Sequence, residues 1–139
     1  MDYVITAEIP TADELIELYG SVEWTAYTDD HAALVAAVDG SFCVLTARNA
    51  VGKLVGLART FSDGYTIAYI QDIVVSAEHQ RLGIGGALLD ELLHRTERIR
   101  QVVLLTDGEH AQRAFYESRK FTEAHDFAPH QLRSFVRFR

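Results

Sequence analysis

The stretch from Ile70 to Leu93, IQDIVVSAEHQRLGIGGALLDELL, restricts this chain more than any other. Ile70-Gln71-Asp72-Ile73-Val74-Val75 is a short apolar, β-branched run of the kind that forms a buried strand. Ser76 to His79 is polar and without strand pattern, Gln80 to Gly86 is glycine-rich, and Ala87 to Leu93 carries leucines at helical spacing. A strand therefore delivers the backbone to a turn that opens a helix, and the first-turn amides of a helix have no partners within it. Those amides and the positive end of the helix dipole suit a phosphate-like anion. Gly83, Gly85 and Gly86 lack a Cβ, so a bulky anion can approach the main chain closely.

What is missing narrows the ligand. No Gly-Lys-Ser/Thr triplet closes the loop, as a nucleoside-triphosphate site requires, and no third glycine completes a dinucleotide fingerprint. Gln80-Arg81-Leu82-Gly83-Ile84-Gly85 instead resembles the Q/R-x-x-G-x-G/A motif of the GNAT superfamily of acetyl-CoA-dependent N-acetyltransferases. The resemblance implies that Gln80, Arg81, Leu82, Gly83, Ile84, Gly85, Gly86 and Ala87 hold the pyrophosphate of coenzyme A. It also implies that the strand residues Ile73, Val74 and Val75 hydrogen-bond the pantetheine arm and supply donors to the thioester carbonyl. The plainer reading is a glycine turn that merely joins strand to helix; the flanking strand and leucine helix favour the cofactor.

Length and charge bound the remainder. A chain of 139 residues, 48% hydrophobic, predicts a single domain over 1–139 with one ordinary core. No stretch approaches the roughly 18 to 20 continuous apolar residues of a membrane span. The N-terminus lacks the basic region of a signal peptide, and one cysteine, Cys43, cannot form an internal disulfide. A cytoplasmic protein is the expectation, with Cys43 a core residue and not a nucleophile. The 13 basic and 20 acidic residues leave a net charge of -7, which argues against nucleic acid as a partner. His31, His79, His94, His110, His125 and His130 form no ligand-like set, so no metal is expected.

In order along the chain, Tyr3 to Glu8 predicts a strand, and Thr11-Ala12-Asp13-Glu14 a capping box opening a helix that Gly20 closes. Ser21 to Asp30 reads as a loop or broken helix, and Asp30 to Val38 as a second helix. Ser41–Arg48 and Lys53–Phe61 form a hairpin around Asn49-Ala50-Val51-Gly52, and Ser62-Asp63-Gly64 leads into the strand Thr66–Val75. Gln101 to Thr106 is apolar throughout and predicts a central strand buried on both faces, reached by a parallel crossover. Glu109–Arg119 predicts a helix and the alternating Leu132–Phe138 a last strand. The fold class is α/β, mixed α+β: a central mixed sheet of 6–7 strands with an antiparallel N-terminal meander and helices on both faces. The order β-α-α-β-β-β-α-β-α-β is the one the GNAT fold implies, so the resemblance spans nearly the whole chain.

A second resemblance lies in Phe115-Tyr116-Glu117-Ser118-Arg119-Lys120-Phe121, which is similar to the family phrase F-Y-E-x-x-G-F. Tyr116 matches a tyrosine that lies near the cofactor sulfur, where its phenol could protonate a departing thiolate. Lys120 stands where that phrase has glycine, which predicts a differently shaped helix end. Glu109 and His110 stand where the family often has an asparagine that reaches the pantetheine arm. Asp72 and Glu23 are the carboxylates to inspect as general base, Asp72 because it lies on the cofactor strand. In this fold the acceptor usually enters between the first helices and the central strands, which makes Trp24, Tyr27, Phe42 and Tyr69 candidate lining, Phe42 preferably core.

The function implied is transfer of the acetyl group of acetyl-CoA to a primary amine, carried by a small molecule or a peptide, through direct attack. The alternative is an acyl-CoA-binding module without transfer. A second copy of the chain, as a homodimer, stays open as a partner.

Overall fold

A computed structural model describes residues 2–139. The chain divides into two compact units, Met1–Leu105 and Thr106–Arg139. The first holds a five-stranded sheet in the order β1-β2-β3-β4-β5, with strands β1 (Tyr3–Ala7), β2 (Cys43–Asn49), β3 (Leu54–Ser62), β4 (Ile67–Val75) and β5 (Gln101–Leu104). The first three pairings are antiparallel and β4–β5 is parallel, so the meander and the crossover both form as their sequences predict.

Local chemistry sets the helices of this unit. Helix α1 (Ala12–Ser21) opens on the expected capping box, Thr11 and Glu14 each accepting the other's backbone amide. A single turn, α2 (Thr25–Thr28), breaks the irregular segment, and α3 (His31–Asp39) begins at Asp30, whose carboxylate accepts the amide of Ala33 at 3.0 Å. Helix α4 (Ile84–Arg95) follows the glycine loop.

Helices cover both faces of the sheet. Leu57 packs with Leu15, Leu18 and Tyr19 of α1, Leu34 and Val38 of α3, and Val74 of β4. Its neighbour Gly56 points to the other face, where a Cβ would meet Ile84 at 3.0 Å and Leu88 at 3.1 Å, so α4 sits there because Gly56 lets it approach.

Three expectations need correction. The sheet has five strands where 6–7 were expected. Leu132–Phe138 forms no strand, and Phe135 and Phe138 are 88% and 92% exposed; alternation makes a strand only where a neighbouring ladder receives its hydrogen bonds. The apolar run at Gln101 lies at a sheet edge, with Gln101 exposed and Val102–Leu104 half-buried, so it is not a central strand. An apolar run shows that a strand is covered, but its place in the sheet depends on pairing that the run itself does not encode.

The second unit contains α5 (His110–Glu117) and a single 3-10 turn at Ala124–Asp126. Among the described residues no helix is long and apolar enough to cross a membrane.

Candidate active site

Strand β4 changes its surroundings halfway along. Ile67 to Ile70 pair with β3 on one side and β5 on the other, but β5 pairs no further than Ile70. Gln71 is an extra residue: Arg59 lies opposite Asp72 and Thr60 opposite Ile70, so the ladder skips it as a bulge. Among the described residues, no strand lies beside one edge of β4 from the bulge onward.

The phase of that edge follows from one bond. The Ser76 amide donates to the Val55 carbonyl at 2.9 Å, and antiparallel pairs alternate between bonded and non-bonded. Leu57–Val74 is therefore a bonded pair, and Ile73 and Val75 turn their backbone groups to the open edge. The Gln80 side chain takes up one of these, donating to the Val75 carbonyl at 3.2 Å. Ile73, Val74 and Val75 are thus not equivalent, because Val74 spends its main chain on β3 and its side chain in the core.

Beyond the strand, Arg81 (φ 65°) and Gly83 (φ 84°) both take left-handed conformations, and no side chain caps α4. The Ala87 amide is the first to find a helical carbonyl, that of Gly83, which leaves the amides of Ile84, Gly85 and Gly86 at the mouth of the loop. A Cβ on Gly85 would lie 3.7 Å from Val75, so the strand end and the loop adjoin. Arg81 and Leu82 are exposed on this loop.

The bulge also determines which side chains share a face. Arg59 and Phe61 alternate along β3 and face one way, with the Arg59 guanidinium 5.4 Å from the Phe61 ring. Their partners are Asp72 and Tyr69; cross-strand partners share a face, so Tyr69 and Asp72 lie on the same side despite their odd spacing. On that side Asp72 is 3% exposed and Arg59 2%. Arg59 Nε donates to Asp72 Oδ2 at 2.5 Å, Tyr19 donates to the same oxygen at 3.0 Å, and Tyr27 donates to Oδ1 at 2.9 Å. Arg59 Nη1 also reaches the Ala37 carbonyl in the last turn of α3, where the helix dipole favours a cation.

Burial, with the charge of Asp72 behind it, raises the Tyr19 phenol far above its ordinary value, and burial raises that of Tyr27. Both are protonated donors at neutral pH. Trp24, 36% exposed, stands 5.9 Å from the rings of Tyr19 and Tyr27. Tyr27 and Asp72 are brought together, Trp24 stacks beside them, and Tyr69 joins their face. Phe42, read as core, is 52% exposed because it precedes the first residue of β2. Glu23, exposed, sits just before Trp24 at φ 59°.

Residues 29–123 match the family model of the acetyltransferase (GNAT) domain. The chain belongs to the GNAT acetyltransferase family. Its structure resembles a GNAT-family acetyltransferase from Streptococcus pneumoniae TIGR4, with a TM-score of 0.79 and 26% identity, covering 98% of this chain and 99% of that one. It also resembles an acetyltransferase from Trypanosoma brucei, with a TM-score of 0.64, 20% identity, and 97% and 100% of the two chains covered. A third neighbour is an aminoglycoside acetyltransferase from an uncultured soil metagenomic sample, in complex with sisomicin; its TM-score is 0.68, its identity 23%, and the shares covered 98% and 95%. No curated protein matches the chain. Acetyl transfer is the general chemistry of the GNAT family, and its members generally use acetyl-CoA.

The second GNAT phrase lies in the second unit. Tyr116 is half-buried on α5, edge-on to Phe115 at 5.0 Å and Phe121 at 5.7 Å. Burial first, then the charge of Asp107, raises its phenol, so Tyr116 is protonated at neutral pH. Lys120 adopts φ 68°, its amide reaching the Glu117 carbonyl while that of Phe121 reaches the Tyr116 carbonyl. These are the two bonds of a glycine-type helix stop, completed by the Tyr116–Phe121 contact. The differently shaped end expected of lysine does not occur: Lys120 takes the glycine conformation and bears its strain.

Arg59, Gln71 and Tyr19 were missed from sequence. The available signal was two opposite charges, Arg59 and Asp72, each set within an apolar strand run, where an unpaired charge would be costly.

Proposed function

We propose that residues 1–139 act as one acetyl-CoA-dependent N-acetyltransferase that moves the acetyl group to a primary amine by direct attack. The observation that carries this reading is the run of main-chain donors from Ile73 and Val75 on the open edge of β4 to Ile84, Gly85 and Gly86 at the uncapped start of α4. That run suits acetyl-CoA. Strand-edge groups match the amides of a pantetheine arm, and helix-start amides match a pyrophosphate, with Arg81 placed to add a charge-assisted contact. When bound, acetyl-CoA supplies an activated acyl thioester.

The chain's own groups would do the rest. Amides on the open edge can donate to a carbonyl oxygen as charge develops on it. The attacking amine must lose a proton, and Asp72 is poorly suited to take it because both its oxygens already accept hydrogen bonds and one faces Arg59. Glu23, the other carboxylate in view, is exposed and available to accept it directly or through water. Tyr116, on the family phrase, would give its proton to the departing thiolate.

A distorted helix end at Lys120 would favour a binding module without transfer, but Lys120 takes the glycine conformation. Free-thiol release from acetyl-CoA, measured across a panel of amines, tests the proposal. Release with an N-acetylated product supports it; tight coenzyme A binding with no release across the panel would favour the binding module.

A further inference from the structure

Strand β5 has the sequence of a strand with two neighbours and the position of a strand with one. Gln101-Val102-Val103-Leu104, with Leu105 after it, contains no charge and no proline, and its ladder with β4 has no bulge. Charges, prolines and bulges are the means by which a sheet edge avoids recruiting another strand. Alternate residues of a strand turn their N–H and C=O away from the neighbour they have, and among the described residues no backbone group meets β5 on its outer side. Leu105, where the run ends, is 46% exposed.

The same chain holds the opposite case, a strand pattern without a ladder. In Leu132–Phe138, an extended backbone puts Leu132, Ser134, Val136 and Phe138 on one face and Arg133, Phe135 and Arg137 on the other. The whole segment is exposed, Phe135 to 88% and Phe138 to 92%. It is also basic, in a chain whose net charge is -7. We propose that two copies of this chain associate by strand addition: Leu132–Phe138 of one copy pairs along the outer edge of β5 of the other, and the reverse. Each copy brings one open edge and one unpaired pattern, so the exchange is reciprocal and closes on a two-fold axis. Main-chain bonds to the edge hold the added strand, its alternating side chains set the register, and its arginines come to lie against an acidic molecule. The occupant is therefore a second copy. This inference is independent of the transferase reading.

The experiment uses the full chain. Light scattering from about 1 to 100 µM, a range in which mass action governs a weak dimer, should give a mass that rises to that of two chains. Amides of adjacent strand residues point opposite ways, so one of Ser134→Pro and Phe135→Pro must remove a bond to β5. At least one of these variants should raise the dimer Kd about ten-fold or more, the worth of one or more ladder bonds. Both positions lie in an exposed segment without a ladder, so the melting temperature of either variant should equal that of the parent when both are monomeric. A mixed sample with one copy carbon-13 labelled and the other unlabelled should show intermolecular contacts between the Phe135 or Phe138 ring and Val102–Leu104. A parent that is monomeric throughout, a dimer whose Kd neither proline changes, or contacts from the segment to β5 only within one chain would each overturn the proposal.

Discussion

Asp72 shows how the environment of a residue decides its role. A carboxylate on the cofactor strand is a natural candidate for general base, but here it accepts from Arg59, Tyr19 and Tyr27 and is 3% exposed. Such a group is an anchor. Removing one partner of a buried ion pair leaves the other uncompensated, so Asp72→Ala should lower stability by about 3 to 5 kcal/mol. Chemical denaturation checks this: a loss under 1 kcal/mol would mean that the pair is solvated and Asp72 is open to catalysis. Tyr116 makes the opposite case, since its ring packs edge-on to Phe115 and Phe121 and its hydroxyl meets no hydrogen-bond partner among the described residues. Tyr116→Phe should keep the fold and cut turnover about 100-fold, the lower end of what one acid catalyst contributes. Full turnover in Tyr116→Phe, where chemistry limits the rate, would give the proton donation to another residue or to water.

At the scale of elements, two helix ends carry separable consequences. The start of α1 is tied to β2 because Glu14, half of the capping box, also pairs with Arg48, which bridges to Glu8 as well. The hydrogen bond from Arg48, then that from the Thr11 amide, holds the Glu14 carboxyl down to about 2 from its ordinary 4.5. A depressed carboxylate contributes stability above its unfolded pKa and loses it as pH falls through the folded one. Stability should therefore fall between about pH 4.5 and pH 2, and Glu14→Gln should flatten that slope in urea melts taken across the range; an unchanged slope would place the acid sensitivity elsewhere. The end of α5 stores strain at Lys120, where a left-handed residue other than glycine costs about 1 kcal/mol. Lys120→Gly should recover up to that amount against denaturant, and a destabilised variant would show that the lysine side chain contributes more than its backbone costs.

The elements legible in sequence are those fixed by near neighbours: the capping box, the Asn49–Gly52 turn, the glycine loop and the leucine helix behind it. What was not legible depends on pairing between distant segments. Strict alternation from Tyr69 would put Asp72 on the opposite face, and only the bulge at Gln71, set by the register against β3, brings them together. Arg59 is a lone charge in an apolar strand run until Asp72, 13 residues on, is found beside it. Leu132–Phe138 has the pattern of a strand but no ladder, which no local pattern can reveal.

For the molecule as a whole, cofactor binding is expected on the half of β4 that β5 leaves open and on the glycine loop beyond it. Residue-resolved hydrogen exchange by NMR, with and without coenzyme A, tests this most directly. The amides of Ile73, Val75, Ile84, Gly85 and Gly86 should gain protection when coenzyme A binds, while that of Val74, already bonded to Leu57, should keep the rate it had. Binding of coenzyme A that leaves the Ile73 and Val75 amides exchanging as before, or that protects Val74 in their place, would contradict it.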